Sequence, residues 1–167
     1  MKHALFCLTP VLSKKLIAKG VAVLPEVKKA LSQGKILLGT GSTATHIYLE
    51  LGGEIMDSAL ACGIITAKGL CVGHGMTDFV GAHGHAKYWL FDRGRMTPSD
   101  NLEQVLIDLS ANDVFIKGAN AIDSTGQAGV LLGLESGGTI GKALGYIMAK
   151  GINFLIPVGL EKTISGS

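Results

Sequence analysis

Four stretches of this 167-residue chain carry side chains whose types and spacing could do chemistry. The first, Gly39-Thr40-Gly41-Ser42-Thr43-Ala44, lies between an apolar run and a helical pattern. Such a loop turns backbone N–H groups outward with a helix N-terminus behind them, and Ser42 and Thr43 add hydroxyl donors. A phosphate suits it as well as an empty helix cap does. The second, Glu135-Ser136-Gly137-Gly138-Thr139-Ile140-Gly141-Lys142, has the outline of a nucleotide phosphate loop but breaks its pattern. Ser136 stands where the first glycine belongs, and Ala143 replaces the hydroxyl residue that would hold magnesium. Nucleotide hydrolysis is disfavoured. An anion contact through Gly137, Gly138, Thr139 and Lys142 stays open, as does simple helix packing at Gly141.

The third stretch, Lys117-Gly118-Ala119-Asn120-Ala121-Ile122-Asp123, offers a cation, an amide and a carboxylate at the end of an apolar run. Open α/β sheets bind ligands at that edge of their strands. The alternative is a surface loop with Lys117 solvated. The fourth is a histidine group, His74, His83 and His85, with Asp78 among them. On a strand, the His83–His85 pair would share one face, as a metal site can require. Glycines at 73, 75, 81 and 84 argue instead for loop histidines, so no metal is expected. Cys62 and Cys71 sit in apolar surroundings and read as packed thiols.

These residues need elements to hold them. Ser13–Lys19 and Pro25–Ser32 read as helices, the second with Pro25 in its first turn and Gly34 as its stop. Lys35–Leu38 is a short continuous apolar run, as a strand buried on both faces would be. A helix from about 43 to 51 follows the glycine loop. Further strands are expected at 59–66, 70–72, 86–91, 113–117, 129–132 and 153–158. Helices are expected at 101–109, with Asp100 as N-cap, and at 139–150, closed by Gly151. Strands alternating with helices predict an α/β fold, Rossmann-like, with a mostly parallel sheet flanked by helices. One domain, 1–167, with N-terminal helices at about 11–33, fits the length.

Composition narrows the function. With 47% hydrophobic and 17% charged residues, the chain has the make-up of a folded core, not of a disordered segment. The net charge is only +2, the basic residues are dispersed and aromatics make up 5%, so a nucleic-acid surface is not expected. Apolar runs reach about nine residues near 152–160, well short of the ~18 of a membrane span. Three cysteines without C-x-x-C spacing read as reduced thiols, and the apolar start lacks a small-x-small cleavage pattern. A cytoplasmic protein is the plain reading. The 24 glycines are about twice the usual ~7% and fall mainly at junctions between elements.

The order of the pieces is more specific than any one of them. The strand with Gly39-Thr40-Gly41-Ser42-Thr43-Ala44 resembles the first phosphate-side loop of ribose-5-phosphate isomerase. Asp113–Ile122, Gly126, Gly138–Lys142 and Ala149–Val158 resemble the corresponding segment of methylthioribose-1-phosphate isomerase and of the regulatory subunits of the translation-initiation exchange factor. Both groups belong to the sugar-isomerase/CoA-transferase-like superfamily. The resemblance covers 35–44 and 113–161, a little over a third of the chain. It implies a Rossmann-like fold, a phosphorylated small-molecule ligand and a homo-oligomer. It also marks a departure, because Asn120 stands where those isomerases carry a catalytic acid, and an amide cannot serve as a general base.

Two functions are expected on these grounds. In the first, a sugar-phosphate isomerase, phosphate sits on Gly41–Thr43 and Gly137–Thr139. Lys117 steadies an enediolate oxyanion there, Asn120 binds a sugar hydroxyl, and Glu135 or Asp123 carries the proton. In the second, a metabolite-sensing or regulatory subunit, the same site binds without turnover. Neither requires a cofactor.

Overall fold

A computed structural model describes residues 3–54, 64–66, 69–71, 88–132 and 135–166. It opens with helices α1 (Pro10–Val23) and α2 (Pro25–Gln33). Thr9 caps the first, its hydroxyl accepting from the Leu12 amide at 3.3 Å. The two helices part at Leu24, which is extended at φ −58°, ψ 136°. Pro25 imposes this, since a residue before proline is pushed out of the helical region.

The chain then enters β1 (Lys35–Gly39) and turns into α3 (Ser42–Glu50). A short antiparallel pair follows, β2 (Ile64–Thr66) with β3 (Gly69–Cys71). Next come β4 (Tyr88–Asp92), β5 (Arg95–Ser99), α4 (Leu102–Asp108) and β6 (Val114–Ile116). A small hairpin of β7 (Ala121–Ile122) and β8 (Ala128–Gly129) leads to α5 (Gly138–Lys150) and β9 (Asn153–Leu155). A single 3₁₀ turn spans Leu160–Lys162.

The main sheet runs β5-β4-β1-β6-β9. Strands β1, β6 and β9 are parallel, whereas β4 is antiparallel to both β1 and β5. The fold is therefore mixed α/β, and the sheet is not the mostly parallel one predicted. A two-residue turn at Arg93-Gly94, where φ is 47° and 79°, makes β5 antiparallel to β4. Positive φ at both positions makes the tight reversal that suits a hairpin. Nothing in the hydrophobic pattern near 93–100 announced the strand it creates. Pro98 is accommodated because β5 lies at the sheet edge.

Other boundaries shift for local reasons. Asn101 rather than Asp100 caps α4, its Oδ1 accepting from the Gln104 amide at 3.1 Å. The strand predicted at 129–132 is only the second half of the β7–β8 hairpin, and β9 stops at Leu155, two residues before Pro157.

Both faces of β1 are buried. Ile36 and Leu38 pack with Trp89, Phe91, Val114 and Ile116 beneath α1, α2 and α3. Leu37 and Phe115 pack the opposite way, against Leu106, Ile140 and Ile147 of α4 and α5. This is the period-two alternation of a strand sandwiched between helical layers. Lys150 ties α5 to α4, its ammonium donating to the carbonyls of Leu106 at 3.0 Å and Leu109 at 2.9 Å, and to that of Ile107.

Asp113 pins the start of β1 to the turn before β6. Its buried carboxylate accepts from the Lys35 amide at 2.6 Å and from the Ser110 amide and hydroxyl at 2.7 and 2.8 Å. Removing it takes away three hydrogen bonds to a charged acceptor, of the class worth about 1.5–3 kcal/mol each before the freed donors find water. Asp113→Ala is expected to cost about 3 kcal/mol, read from the midpoint of urea denaturation.

Candidate functional site

The parallel strands β1, β6 and β9 end on one edge of the sheet, and the sequence-predicted glycine loops gather there. Gly39 closes β1 with Tyr88 of β4 as its register partner. On its other side lies Lys117, whose amide donates to the Leu155 carbonyl at 3.0 Å. A Cβ at Gly39 would stand 2.7 Å from Lys117 Cδ. The lysine stem therefore lies across the glycine, and the absent side chain is what makes room for it.

Two helices begin at this edge without a side-chain cap. In α3 the first intrahelical bond runs from the Thr45 amide to the Gly41 carbonyl, so the N–H groups of Ser42, Thr43 and Ala44 precede it. In α5 the first runs from Gly141 to Gly137, ahead of which lie Gly138, Thr139 and Ile140. Gly137 has φ 72°, and a Cβ on it would meet the Gly141 Cα at 2.9 Å. Only glycine fits there.

Thr43 carries the sharpest signal. It is 2% exposed, and its hydroxyl has no hydrogen-bond partner among the described residues. Buried hydroxyls are normally satisfied, so an orphan in the first turn of an uncapped helix calls for an explanation.

Lysines supply the charge. Lys162, half-buried, donates to the Ala119 carbonyl at 2.5 Å. Burial pushes its amine below the ordinary lysine range, the ammonium groups of Lys14 and Lys117 add to this, and Glu161 opposes it. Lys14 lies 4.0 Å from the Glu161 carboxylate, with 12% of its side chain exposed. Lys14 and Lys117 thus both add positive charge around Lys162. His46 on α3 is also held below its usual range, first by burial and then by Lys15 and Lys14. A positive field with uncapped helix starts suits an anion.

Lys14 and Lys162 were not among the residues that the sequence singled out. They stand 148 positions apart, one in a helix of ordinary pattern and the other near the end of the chain, and no spacing rule joins them.

Asp123, one of the predicted proton carriers, serves the β7–β8 turn. Asp123 Oδ1 accepts from the amides of Thr125 and Gln127, each at 2.9 Å, and from the Thr125 hydroxyl at 2.7 Å, which builds the β7–β8 turn. Asn120 Oδ1 accepts from the Leu131 amide at 2.9 Å. Glu135 is exposed in the turn before α5. Gly118 lies beside the β9 end, 3.6 Å from its virtual Cβ to the Pro157 carbonyl oxygen. Lys142 is exposed on α5, away from the lysine cluster and beside Tyr146 and Glu103. His74, His83, His85 and Cys62 lie outside the described residues. Among the described residues, no group of His, Cys, Asp and Glu could hold a metal, and no helix is long and apolar enough to cross a membrane.

Comparison with known proteins places no relative beside this chain: no family model, curated protein or solved structure matches it significantly.

The orphan hydroxyl has a measurable consequence. Thr43→Val replaces it with a methyl of similar shape, and is expected to stabilise the unliganded protein by about 1 kcal/mol in urea denaturation. Lys162 has a pH signature. Its folded pKa is lowered, so the cost of its charge is full at neutral pH and is relieved as pH rises towards 10.5. The stability of the native protein relative to Lys162→Met is therefore expected to rise as pH approaches 10.5 from below, measured by denaturant midpoints at each pH.

Proposed function

We propose that this chain binds a phosphorylated small molecule at the carboxyl edge of β1 and β6. The observation that carries the reading is the buried, unpartnered Thr43 hydroxyl at the uncapped start of α3, beside a cluster of Lys14, Lys117 and Lys162. A phosphate would accept from the Thr43 hydroxyl and from the amides at the uncapped start of α3. Its charge would be met by the lysines, and Lys117 is held in place over Gly39. The resemblance of the Gly39–Ala44 loop to that of a sugar-phosphate isomerase supports the same ligand class, and with it membership of the sugar-isomerase/CoA-transferase-like superfamily.

Binding without turnover is the preferred form of this proposal. Asp123 and Asn120 are consumed by the hairpin that follows β6, and neither is disposed to take a proton from a substrate carbon. An isomerase remains the second reading, with Lys117 at the oxyanion and Glu135 as the carboxylate without a structural task in the hairpin. The homo-oligomer that the resemblance implies belongs to the proposal as well, supported by Leu12, Leu16 and Val23 exposed along α1.

Isothermal titration with inorganic phosphate and with sugar phosphates tests the site. Binding is expected to weaken with added salt and by about tenfold in both Lys117→Met and Thr43→Val, the loss of one charge-assisted hydrogen bond. Because Thr43→Val is expected to be the more stable protein, its loss of affinity cannot be ascribed to unfolding. A flat titration with every phosphate compound overturns the reading. Isomerisation of a bound sugar phosphate, followed by NMR, would decide for the enzyme.

A further inference from the structure

Every residue from His3 to Leu12 is exposed, and most of them are apolar. Leu5 and Phe6 stand 99% and 80% exposed in the irregular stretch ahead of α1, and Leu8 follows them. The pattern runs onto the helix with Val11. Single exposed apolar residues are ordinary, but a contiguous set marks a contact surface. Ala18 and Val21 hold one side of α1 in the core, so the helix docks on the fold through that side and leaves the other uncovered.

Charge says what this uncovered start fits. The first 25 residues hold four lysines, Lys2, Lys14, Lys15 and Lys19, and no Asp or Glu, whereas the remainder of the chain sums to −2. Lys14 and Lys15 follow Val11 by three and four residues, the spacing of neighbours on a helix surface. Lys15 is exposed and makes no ion pair among the described residues, while Lys19 reaches Glu50 at 3.6 Å. Lys14, 4.0 Å from Glu161, ties this end of α1 to the lysine cluster at the carboxyl edge.

Apolar side chains bordered by ammonium groups are the make-up of a segment that lies in the plane of a membrane interface. An acidic lipid surface meets these lysines together, whereas a second copy of the same start brings them against one another. Leu12, Leu16 and Val23 continue along α1 and are the residues that a self-contact would use.

We propose that the start of the chain, through Leu5, Phe6, Leu8 and Val11 with the lysines that follow, docks this protein on an anionic membrane surface. Leu5 and Phe6 enter the acyl boundary, Lys15 meets the lipid headgroups, and the carboxyl edge is carried close to the membrane. The segment lies on the bilayer and does not cross it. This inference stands apart from the phosphate reading.

The test mixes the full chain with vesicles of phosphatidylcholine alone, or of phosphatidylcholine and phosphatidylserine at about three to one, and reads bound protein by co-sedimentation. Native protein is compared with the double variant Leu5→Ser/Phe6→Ser and with Lys15→Gln, each first checked for an unchanged urea midpoint. Binding to the acidic vesicles is expected to be about tenfold or more tighter than to the neutral ones, and to weaken with added salt. The double variant should lose about tenfold or more in affinity, and Lys15→Gln about fivefold. Titration of the double variant with inorganic phosphate should match that of the native protein, which keeps this surface distinct from the anion site. Equal binding to both kinds of vesicle, or full binding by the double variant, overturns the proposal. So does a native protein that binds neither vesicle, and a native oligomer that the double variant turns into a monomer in sedimentation velocity would then make a second copy the occupant.

Discussion

The structure depends on β1 being buried on both faces. Ile36, Leu37 and Leu38 are fully enclosed, so helices must cover the sheet above and below. Each such side chain contributes roughly 1.5–3 kcal/mol by leaving water. That demand recruits α1, α2 and α3 to one side and α4 and α5 to the other. It also fixes where β1 must end. Gly39 is the first position at which a side chain is dispensable, and the Lys117 stem takes the vacated space. A packing constraint at the centre of the sheet thus sets the position of a charge at its edge.

Positive charge collects at that edge. Elsewhere, polar groups are turned inward to hold the chain. Asp113 secures β1 against the turn before β6, Lys150 closes the end of α4, and Asp123 organises a hairpin. Each has hydrogen bonds to backbone groups, joined at Asp113 and Asp123 by a neighbouring hydroxyl. At that edge the Thr43 hydroxyl has no hydrogen-bond partner among the described residues, and Lys14 and Lys117 both add positive charge around Lys162. An anion with several oxygens completes such a set, and this is the physical basis of the functional proposal.

The catalytic reading weakens for the same reason. A carboxylate that accepts three hydrogen bonds from its own turn, as Asp123 does, is an oriented structural acceptor. Sequence proximity to Lys117 suggested a proton carrier, yet a tight hairpin separates the two roles. Residue types at the carboxyl end of a strand indicate chemistry only when their side chains are not already committed to the loop.

Much of the fold was legible because local rules governed it. The helix break at Leu24 follows from Pro25, the buried strand from Lys35-Ile36-Leu37-Leu38, and the end of α5 from Gly151, which takes φ 64°. The strand–glycine loop–helix unit at 35–50 likewise needs only neighbours in sequence. Strand β5 was not legible, since its hairpin turns on Arg93 adopting a left-handed conformation, for which arginine has no preference. Nor could any periodicity bring Lys14 and Lys162 to Lys117, or reveal that Asp123 spends its oxygens on Thr125 and Gln127. The chain by itself determined which segments form elements and where the glycine loops begin. Only the tertiary structure decided which charges meet there, because long-range packing joins residues that no local interaction relates.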